Sequence, residues 1–256
     1  LLSGSADFIS AGPPSFLLLW DRTKGTAGVK GVAAISSMPM YLNARAPHLK
    51  SLDDLKEGDK IAVTSVKSSI PSIVMQMYAV KKYGKDQAFR FDPYTVSMNH
   101  GDAAASLISG GGSIAAHYAS SPLAQRELKS DAIRTIQNTA DVMGGATTFT
   151  MVSATTRFHD ENPKVYAAFV AALQEAQEMI KADKNEAAKV LIASMGGNGY
   201  IPDMIELLDD PSLKYTAKPE NVMKYAQFMN EIKSIKNRPE KLEVLFFPGP
   251  AVSAPN

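Results

Sequence analysis

The loop Thr64–Ser69 is the stretch whose residue types point most directly to chemistry. It places four hydroxyl side chains and one lysine between the apolar run Ile61–Val63 and a helical pattern with Pro71 in its first turn. The first N–H groups of a helix lack partners and carry partial positive charge, so this arrangement can hold an anion. Ser68 or Ser69 can cap the helix, leaving the other hydroxyl for a ligand. A capped helix without any ligand is the alternative that these residues leave open.

A second loop of the same kind lies near the N-terminus. Ser10–Ser15 follows the predicted strand Ala6–Ile9 and precedes the apolar helical stretch Phe16–Asp21. Gly12 allows the backbone to approach a ligand closely, and Ser10 offers a hydroxyl. A tight turn made rigid by two consecutive prolines explains the same residues without a ligand.

Composition excludes several function classes. The 256 residues suffice for one large domain or two small ones, and 27 basic against 26 acidic residues give a net charge of +1. This balance argues against nucleic acid or an anionic membrane as the main partner. The absence of cysteine excludes disulfides, thiolate metal sites and a cysteine nucleophile. His48, His100 and His159 lack the spacing of metal ligands, so we expect neither a metal nor a cofactor.

The order of elements predicts an α/β fold with a mainly parallel sheet, because strand and helix patterns alternate along the chain. The run Leu107–Ala116 repeats the pattern of Leu1–Ser10 at an offset of 106 residues, and such a duplication suggests two similar lobes. Leu1 and Leu2 read as the last residues of a helix that Gly4 terminates. We therefore expect the N-terminal part of the fold to be missing from this chain, and no signal peptide is visible in it.

Several stretches together resemble one protein family. The chain is similar to the solute-binding proteins of ABC importers in the nitrate, sulfonate, taurine and thiamine-precursor group. The matching stretches occur in the family's order over nearly the whole chain: Leu2–Phe8, Ser51–Leu55, Phe158–Pro163, Ser234–Pro239 and Phe246-Phe247.

This resemblance implies a two-lobed, type II periplasmic-binding-protein-like fold that closes on its ligand like a hinged clamp. It implies that Met40–Leu42 and Thr148–Val152 are the two crossing strands of the hinge. Lobe 1 would comprise residues 1–42 and 149–256, and lobe 2 residues 43–148. The family's first strand, helix and second strand would precede Leu1.

Ligands of open α/β sheets bind beyond the carboxyl ends of the strands. That rule and the resemblance agree on four loops, namely Ser10–Pro14, Ser36–Met38, Thr64–Ser69 and Ala116–Ser120, with Thr148 as a further candidate at the return crossing. The predicted ligand-binding residues are Ser10, Gly12, Pro13, Ser37, Met38, Ser65, Lys67, Ser68, Ser69, His117, Tyr118 and Thr148. Lys67 would neutralise an anionic group, although a solvated lysine is the commoner case, and His117 and Tyr118 would wall the cleft or pack beneath it.

The predicted function is binding without chemistry. The chain would capture a small organic anion, such as a sulfonate or carboxylate, and deliver it as a periplasmic monomer to an ABC permease in the membrane. Two alternatives stay open: a thiamine-pyrimidine-synthase-like enzyme, disfavoured because that activity uses a cysteine-rich motif, and the effector-binding domain of a transcription regulator. No nucleophile elbow, Gly-x-Gly-x-x-Gly or His-Glu-x-x-His motif is present.

Overall fold

The computed structural model describes residues 1–112 and 114–249 and divides the chain into two compact units. Unit 1 contains residues 1–38, 148–223 and 239–249, and unit 2 contains Pro39–Thr147 and Lys224–Arg238. The chain therefore passes from one unit to the other four times. In the described residues, no helix combines the length and the hydropathy needed to cross a bilayer.

The regular elements follow one another as strands and helices of very different lengths. The strands are β1 (Ile9–Ala11), β2 (Val29–Ser37), β3 (Tyr41–Ala44), β4 (Ile61–Val63), β5 (Thr95–Ser97), β6 (Ala116–Ala119), β7 (Arg134–Asn138), β8 (Thr148–Thr155) and β9 (Lys214–Tyr215). The α-helices are α1 (Pro13–Thr23), α2 (Ile70–Tyr83), α3 (His100–Ser109), α4 (Leu123–Leu128), α5 (Thr139–Met143), α6 (Thr156–Glu161), α7 (Pro163–Ala182), α8 (Lys184–Ser194), α9 (Ile201–Asp209), α10 (Val222–Glu231) and α11 (Leu242–Leu245). Three-residue 3₁₀ helices cover Leu52–Asp54, Lys85–Gln87 and Asp92–Tyr94.

The sheet of unit 1 has the order β1-β8-β2-β9, and its described strand pairs are all antiparallel. The prediction of a mainly parallel sheet is therefore wrong for this unit. β1, α1 and β2 do form a crossover, but β8 lies between the two strands and pairs with both of them. Because β8 begins where the chain re-enters the unit, local sequence patterns gave no sign of this insertion.

The sheet of unit 2 has the order β5-β4-β6-β3-β7. β4 pairs in parallel with β5 and β6, whereas β3 pairs antiparallel with β6 and β7. The parallel half is thus the β-α-β part that the alternating pattern predicted. Its strands are short and fully buried at β4 and β6, as expected for strands covered on both faces.

The core of unit 1 packs closely against the backbone of β2 at Gly31. Phe16 and Trp20 of α1 are both buried, and for Trp20 the apolar helical pattern predicts this position in the core. The ring centroid of Phe246 lies 5.9 Å from that of Phe16. A Cβ at Gly31 would lie 2.5 Å from the Phe246 ring, so only glycine fits there. On α7, Phe169 stacks on Phe8 with centroids 4.0 Å apart.

Three predicted local features differ from the structure. The first strand is Ile9–Ala11 instead of Ala6–Ile9, so Ser10 belongs to a strand instead of a loop. The sequence predicts Asp102 as the cap of the helix that ends at Ile108, but Asn99 caps α3, because its side chain accepts the N–H of Asp102 at 2.9 Å. Asn, like Asp, is a strong cap former, and the two candidates lie only three residues apart.

The third difference concerns Ala116–Ser120, predicted as a ligand-binding loop. Ala116–Ala119 form β6 and are buried. The 106-residue repeat aligns Ala116 with Ser10, the first residue of the predicted loop after Ala6–Ile9, and therefore predicts a loop where the structure has a strand. The sequence also predicts a capped one-turn helix at Ser51–Leu55 and a helix with Pro163 at its first position, and both predictions are confirmed.

Candidate functional site

The carboxyl ends of three parallel strands in unit 2 meet at one edge of its sheet. Val63 and Ser97 are paired ends of β4 and β5, and β6 runs in the same direction. The loops after β4 and β5 are joined directly, since Met98 N–H donates to Val63 O at 2.9 Å and Ser97 Oγ to Thr64 O at 3.0 Å. Both loops lead into helices, α2 and α3. The loop Thr64–Ser69, which we call the hydroxyl loop, therefore lies where α/β sheets bind ligands.

The hydroxyl loop is organised by its own serines. Ser69 caps α2, accepting the N–H of Ser72 at 3.4 Å, and the two hydroxyls lie 3.0 Å apart. Ser72 Oγ in turn donates to Ser65 O at 3.0 Å, and Ser65 and Ser68 share a hydrogen bond of 2.6 Å. The sequence left open which serine caps the helix, and the structure assigns this role to Ser69.

Lys67 stands at the tip of this loop with an exposed side chain and a left-handed backbone, φ 66°. Few residues other than glycine adopt this conformation, and such residues often mark functional loops. Deeper in the unit, burial raises the pKa of Asp92, while hydrogen bonds from Gln76 at 3.0 and 3.2 Å and the positive charge of Lys67 oppose that rise. The ammonium group of Lys67 thus forms no salt bridge within the described residues.

The two aromatic candidates of β6 point to opposite faces of the sheet and are both buried. Tyr118 donates its hydroxyl proton to Gln137 Oε1, and burial raises the pKa of Tyr118 far above its ordinary value. His117 lies between His100 and Glu127. Both side chains therefore take part in the interior of unit 2, and their contact with a ligand stays a prediction.

The candidates of unit 1 also converge on one edge of a sheet. β1 and β2 both run antiparallel to β8, so Ala11, Ser37 and Thr148 lie at the same edge. Gly12 follows as the residue that precedes α1, and Pro13 occupies its first turn. Ser10 is exposed, Gly12 and Met38 are partly buried, and Pro13, Ser37 and Thr148 are buried. The structure therefore places ten of the twelve predicted residues at two sheet edges, one in each unit, and the other two, His117 and Tyr118, within the buried strand β6.

Glu220 is a polar residue of the unit 1 edge that sequence reasoning missed. Its N–H donates to Thr148 Oγ1 at 2.8 Å, and its carbonyl accepts the Thr148 N–H at 3.0 Å. Lys214 Nζ reaches Glu220 Oε1 at 3.4 Å, whereas Glu220 Oε2 and Ser37 Oγ are buried atoms without a hydrogen-bond partner in the described residues. No sequence signal links Glu220 to Thr148, because 72 residues separate them.

A buried polar network crosses the sheet of unit 2 and was also missed. His117 Nε2 lies 3.0 Å from His100 Nδ1, and His117 Nδ1 lies 2.6 Å from Glu127 Oε1. Asn43 donates to Glu127 Oε2 at 2.8 Å and accepts from Thr135 Oγ1 at 2.7 Å. Burial and the positive charge of protonated His117 lower the pKa of His100 to about 4. Asn43, His117 and Thr135 lie on the neighbouring strands β3, β6 and β7, and the helices α3 and α4 bring His100 and Glu127 to them.

Histidines elsewhere make separate contacts. His48 Nε2 lies 2.9 Å from Asp59, and the ring of His159 stacks on Phe247 at 4.2 Å. Within residues 1–112 and 114–249, no group of three or more His, Cys, Asp or Glu side chains is arranged to hold a metal ion.

Comparisons with known proteins give matches in structure only. No protein-family model matches the chain, and no curated protein sequence does so significantly. The periplasmic aliphatic sulphonate binding protein SsuA from Escherichia coli superposes with a TM-score of 0.62 at 16% identity, covering 99% of this chain and 79% of that chain. The alkanesulfonate-binding protein SsuA from Xanthomonas axonopodis pv. citri, bound to MOPS, gives a TM-score of 0.67 at 15% identity, covering 92% and 78%.

The desulfurization enzyme DSZB is also similar, with a TM-score of 0.60 at 13% identity, covering 94% of this chain and 82% of that chain. At such identities these likenesses establish the fold alone. The chain has the fold of periplasmic solute-binding proteins, and the predicted fold class is confirmed. Because most of the similar structures that carry a functional name are transport proteins and one is an enzyme, the fold by itself does not decide between binding and catalysis.

Proposed function

We propose that this protein is the substrate-binding component of an ABC importer and that it captures a small organic anion, a sulfonate or a carboxylate. The observation that carries the proposal is the hydroxyl loop of unit 2. Capped by Ser69 and bearing the exposed Lys67, it places a helix N-terminus and a lysine ammonium group at the carboxyl edge of a sheet. Solved structures of the same fold include proteins described as sulphonate- and alkanesulfonate-binding, which supports this ligand class.

The energetics of this loop suit reversible capture. A hydrogen bond to a charged group contributes about 1.5–3 kcal/mol net. Micromolar affinity corresponds to about 8 kcal/mol beyond the cost of association, so bonds from Ser65, Ser68 and the α2 N-terminus, with Lys67, supply part of the required free energy, and further contacts must supply the rest. The serines of this loop already hold one another in place, and one of the Ser65 and Ser68 hydroxyls donates to the other.

The same proposal keeps residues 1–42 and 149–256 as lobe 1, residues 43–148 as lobe 2, and Met40–Leu42 and Thr148–Val152 as the hinge strands. It places the protein outside the cytoplasmic membrane, as a monomer whose macromolecular partner is a membrane permease and not a nucleic acid. It assigns no catalytic residue and no cofactor. Catalysis of the thiamine-pyrimidine type would need cysteines that the chain lacks.

A binding experiment tests the proposal. A thermal-shift screen of sulfonates, carboxylates, aromatic acids and pyrimidines selects a ligand, because a compound that binds only the folded state raises the melting temperature. Isothermal titration calorimetry then compares the parent protein with the Lys67→Ala/Ser68→Ala double variant. We expect at least tenfold weaker binding of the selected anion, which corresponds to about 1.4 kcal/mol.

Ser51→Ala is the matched control. Ser51 also caps a helical turn in unit 2, but it lies between the carboxyl end of β3 and the amino end of β4, away from the hydroxyl loop. Affinity should be unchanged in this variant. Equal affinity in the double variant and the parent protein, or selection of a cation by the screen, would refute the anion site.

A further inference from the structure

The buried network of unit 2 ends at a partly exposed imidazole. His100 is the first residue of α3, directly after the loop that donates to Thr64 O. Its Nδ1 is bonded to His117, and its Nε2 has no hydrogen-bond partner in the part of the chain that the structure describes. Neighbouring strands lie about 4.8 Å apart. Since β4 and β5 are neighbours, His100 and the hydroxyl loop occupy the same edge of the sheet.

The hydrogen bonds determine which nitrogen of each ring carries a proton. Asn43 Nδ2 can only donate, and it occupies Glu127 Oε2, so the carboxylate accepts on both oxygens when His117 Nδ1 donates to Oε1. With a neutral His117, the Nε2 of that ring must accept the proton of His100 Nδ1. His100 Nε2 is then an acceptor. In this state Glu127, His117 and His100 together carry one negative charge, on Glu127.

Addition of one proton reverses the donor and acceptor roles in the hydrogen bond between His100 and His117. A solvent proton forms a bond to His100 Nε2, and the proton on His100 Nδ1 passes to His117 Nε2. His117 is then a cation paired with the Glu127 carboxylate, and His100 is neutral again with its proton on Nε2. The three residues together have become electrically neutral, and His100 Nε2 has changed from a hydrogen-bond acceptor to a donor.

We infer that Glu127, His117 and His100 form a proton relay that makes His100 a ligand-facing donor and couples capture of an anion to uptake of one proton. The inference rests on the proposed function and deepens it, because it adds a residue to the anion site of unit 2. An anion near the relay disfavours the form with net negative charge and favours the protonated form. His100 is held neutral in both forms, in agreement with its lowered pKa.

Other charged groups on the surrounding elements are engaged elsewhere. On α3, Asp102 accepts from Asn99, and on α4 Arg126 is exposed. Arg45, which follows β3, donates to the carbonyls of Leu107 and Ile108. On β7, Arg134 donates to carbonyl oxygens of residues 44, 46, 47 and 49. β4 contributes only apolar residues, and on β5 Val96 packs near Ala62. Among the described residues of these elements, Glu127 is therefore the charged group that bonds to His117.

Histidine side-chain ¹H–¹⁵N correlation spectra of the full chain without ligand test the relay directly. At pH 8 we expect His100 to carry its proton on Nδ1 with Nε2 bare. Near pH 5.5 we expect the proton on Nε2, with both nitrogens of His117 protonated. A His100 that keeps one tautomer over this range, or a proton on its Nε2 at pH 8, overturns the relay.

Calorimetry with ethanesulfonate tests the coupling. In two buffers of different ionisation enthalpy near pH 7.5, binding should take up close to one proton, and the dissociation constant should rise up to tenfold per pH unit between pH 6 and 8. Glu127→Gln and His100→Gln should abolish both effects. Glu57→Gln, an exposed carboxylate of unit 2, is the control that should retain them.

The outcomes separate this inference from the proposed function. Binding without proton uptake in the parent protein overturns the coupling and leaves the anion site intact. A tautomer switch without binding of any anion overturns both the coupling and the proposed function. If replacement of the buried Glu127 prevents folding, the partly exposed His100→Gln variant decides the result.

Discussion

The two sheet edges that gather the predicted ligand residues differ in how their polar atoms are satisfied. At the unit 2 edge, Ser65, Ser68, Ser69 and Ser72 bond within one loop. At the unit 1 edge, Ser37 Oγ and Glu220 Oε2 are buried and have no hydrogen-bond partner in the described residues. One edge is therefore preorganised, whereas the other retains polar atoms whose burial is unfavourable until a partner bonds to them. This difference makes the unit 2 edge the better-supported anion site.

The largest effect is expected from the buried network beneath the preorganised edge. Asn43→Ala leaves Glu127 Oε2 and Thr135 Oγ1 without their partner inside unit 2. Loss of a hydrogen bond to a buried charge costs roughly 2–4 kcal/mol of the free energy of unfolding. Urea denaturation monitored by circular dichroism measures this loss. A destabilisation below about 0.5 kcal/mol would show that the network is not formed.

Removal of a satisfied hydroxyl should have an intermediate effect. Ser69→Ala deletes the cap of α2 and its bond to the Ser72 N–H. Loss of an N-cap typically lowers the free energy of unfolding by about 1 kcal/mol. The same denaturation experiment applies. Because Ser69 also orders the loop, the variant should additionally bind the anion more weakly; a fully stable Ser69→Ala protein would contradict the assignment of the cap.

Removal of an unsatisfied hydroxyl should have the smallest effect, with the opposite sign. Ser37→Ala deletes a buried oxygen that makes no hydrogen bond in the described part of unit 1, so the free energy of unfolding should rise by a few tenths of a kcal/mol. Ser153→Ala, whose Oγ is likewise buried and unpartnered, is the matched variant away from the edge. A clear destabilisation by Ser37→Ala alone would mean that its hydroxyl has a partner after all, and the contrast between the edges would disappear.

Local chemistry made part of this site predictable. The hydroxyl loop was found from residue type, because capping serines and a proline in the first helical turn act within a few residues of each other. The same reasoning failed at β6. The rule on strand ends and the family resemblance predict a ligand-binding loop at Ala116–Ser120, but pairing with β3 and β4 makes Ala116–Ala119 a buried strand. Strand position depends on partners that are distant in sequence.

The sequence by itself determined the alternation of strands and helices, the hydroxyl-rich loop before α2, and the absence of cysteine chemistry. These properties depend on residue identity and on spacings of a few residues. Only the tertiary structure decided that β8 separates β1 from β2, that Glu220 meets Thr148, and that His100, His117 and Glu127 form one chain of hydrogen bonds. Such contacts join residues far apart along the chain, and their energy depends on distances that no local pattern encodes.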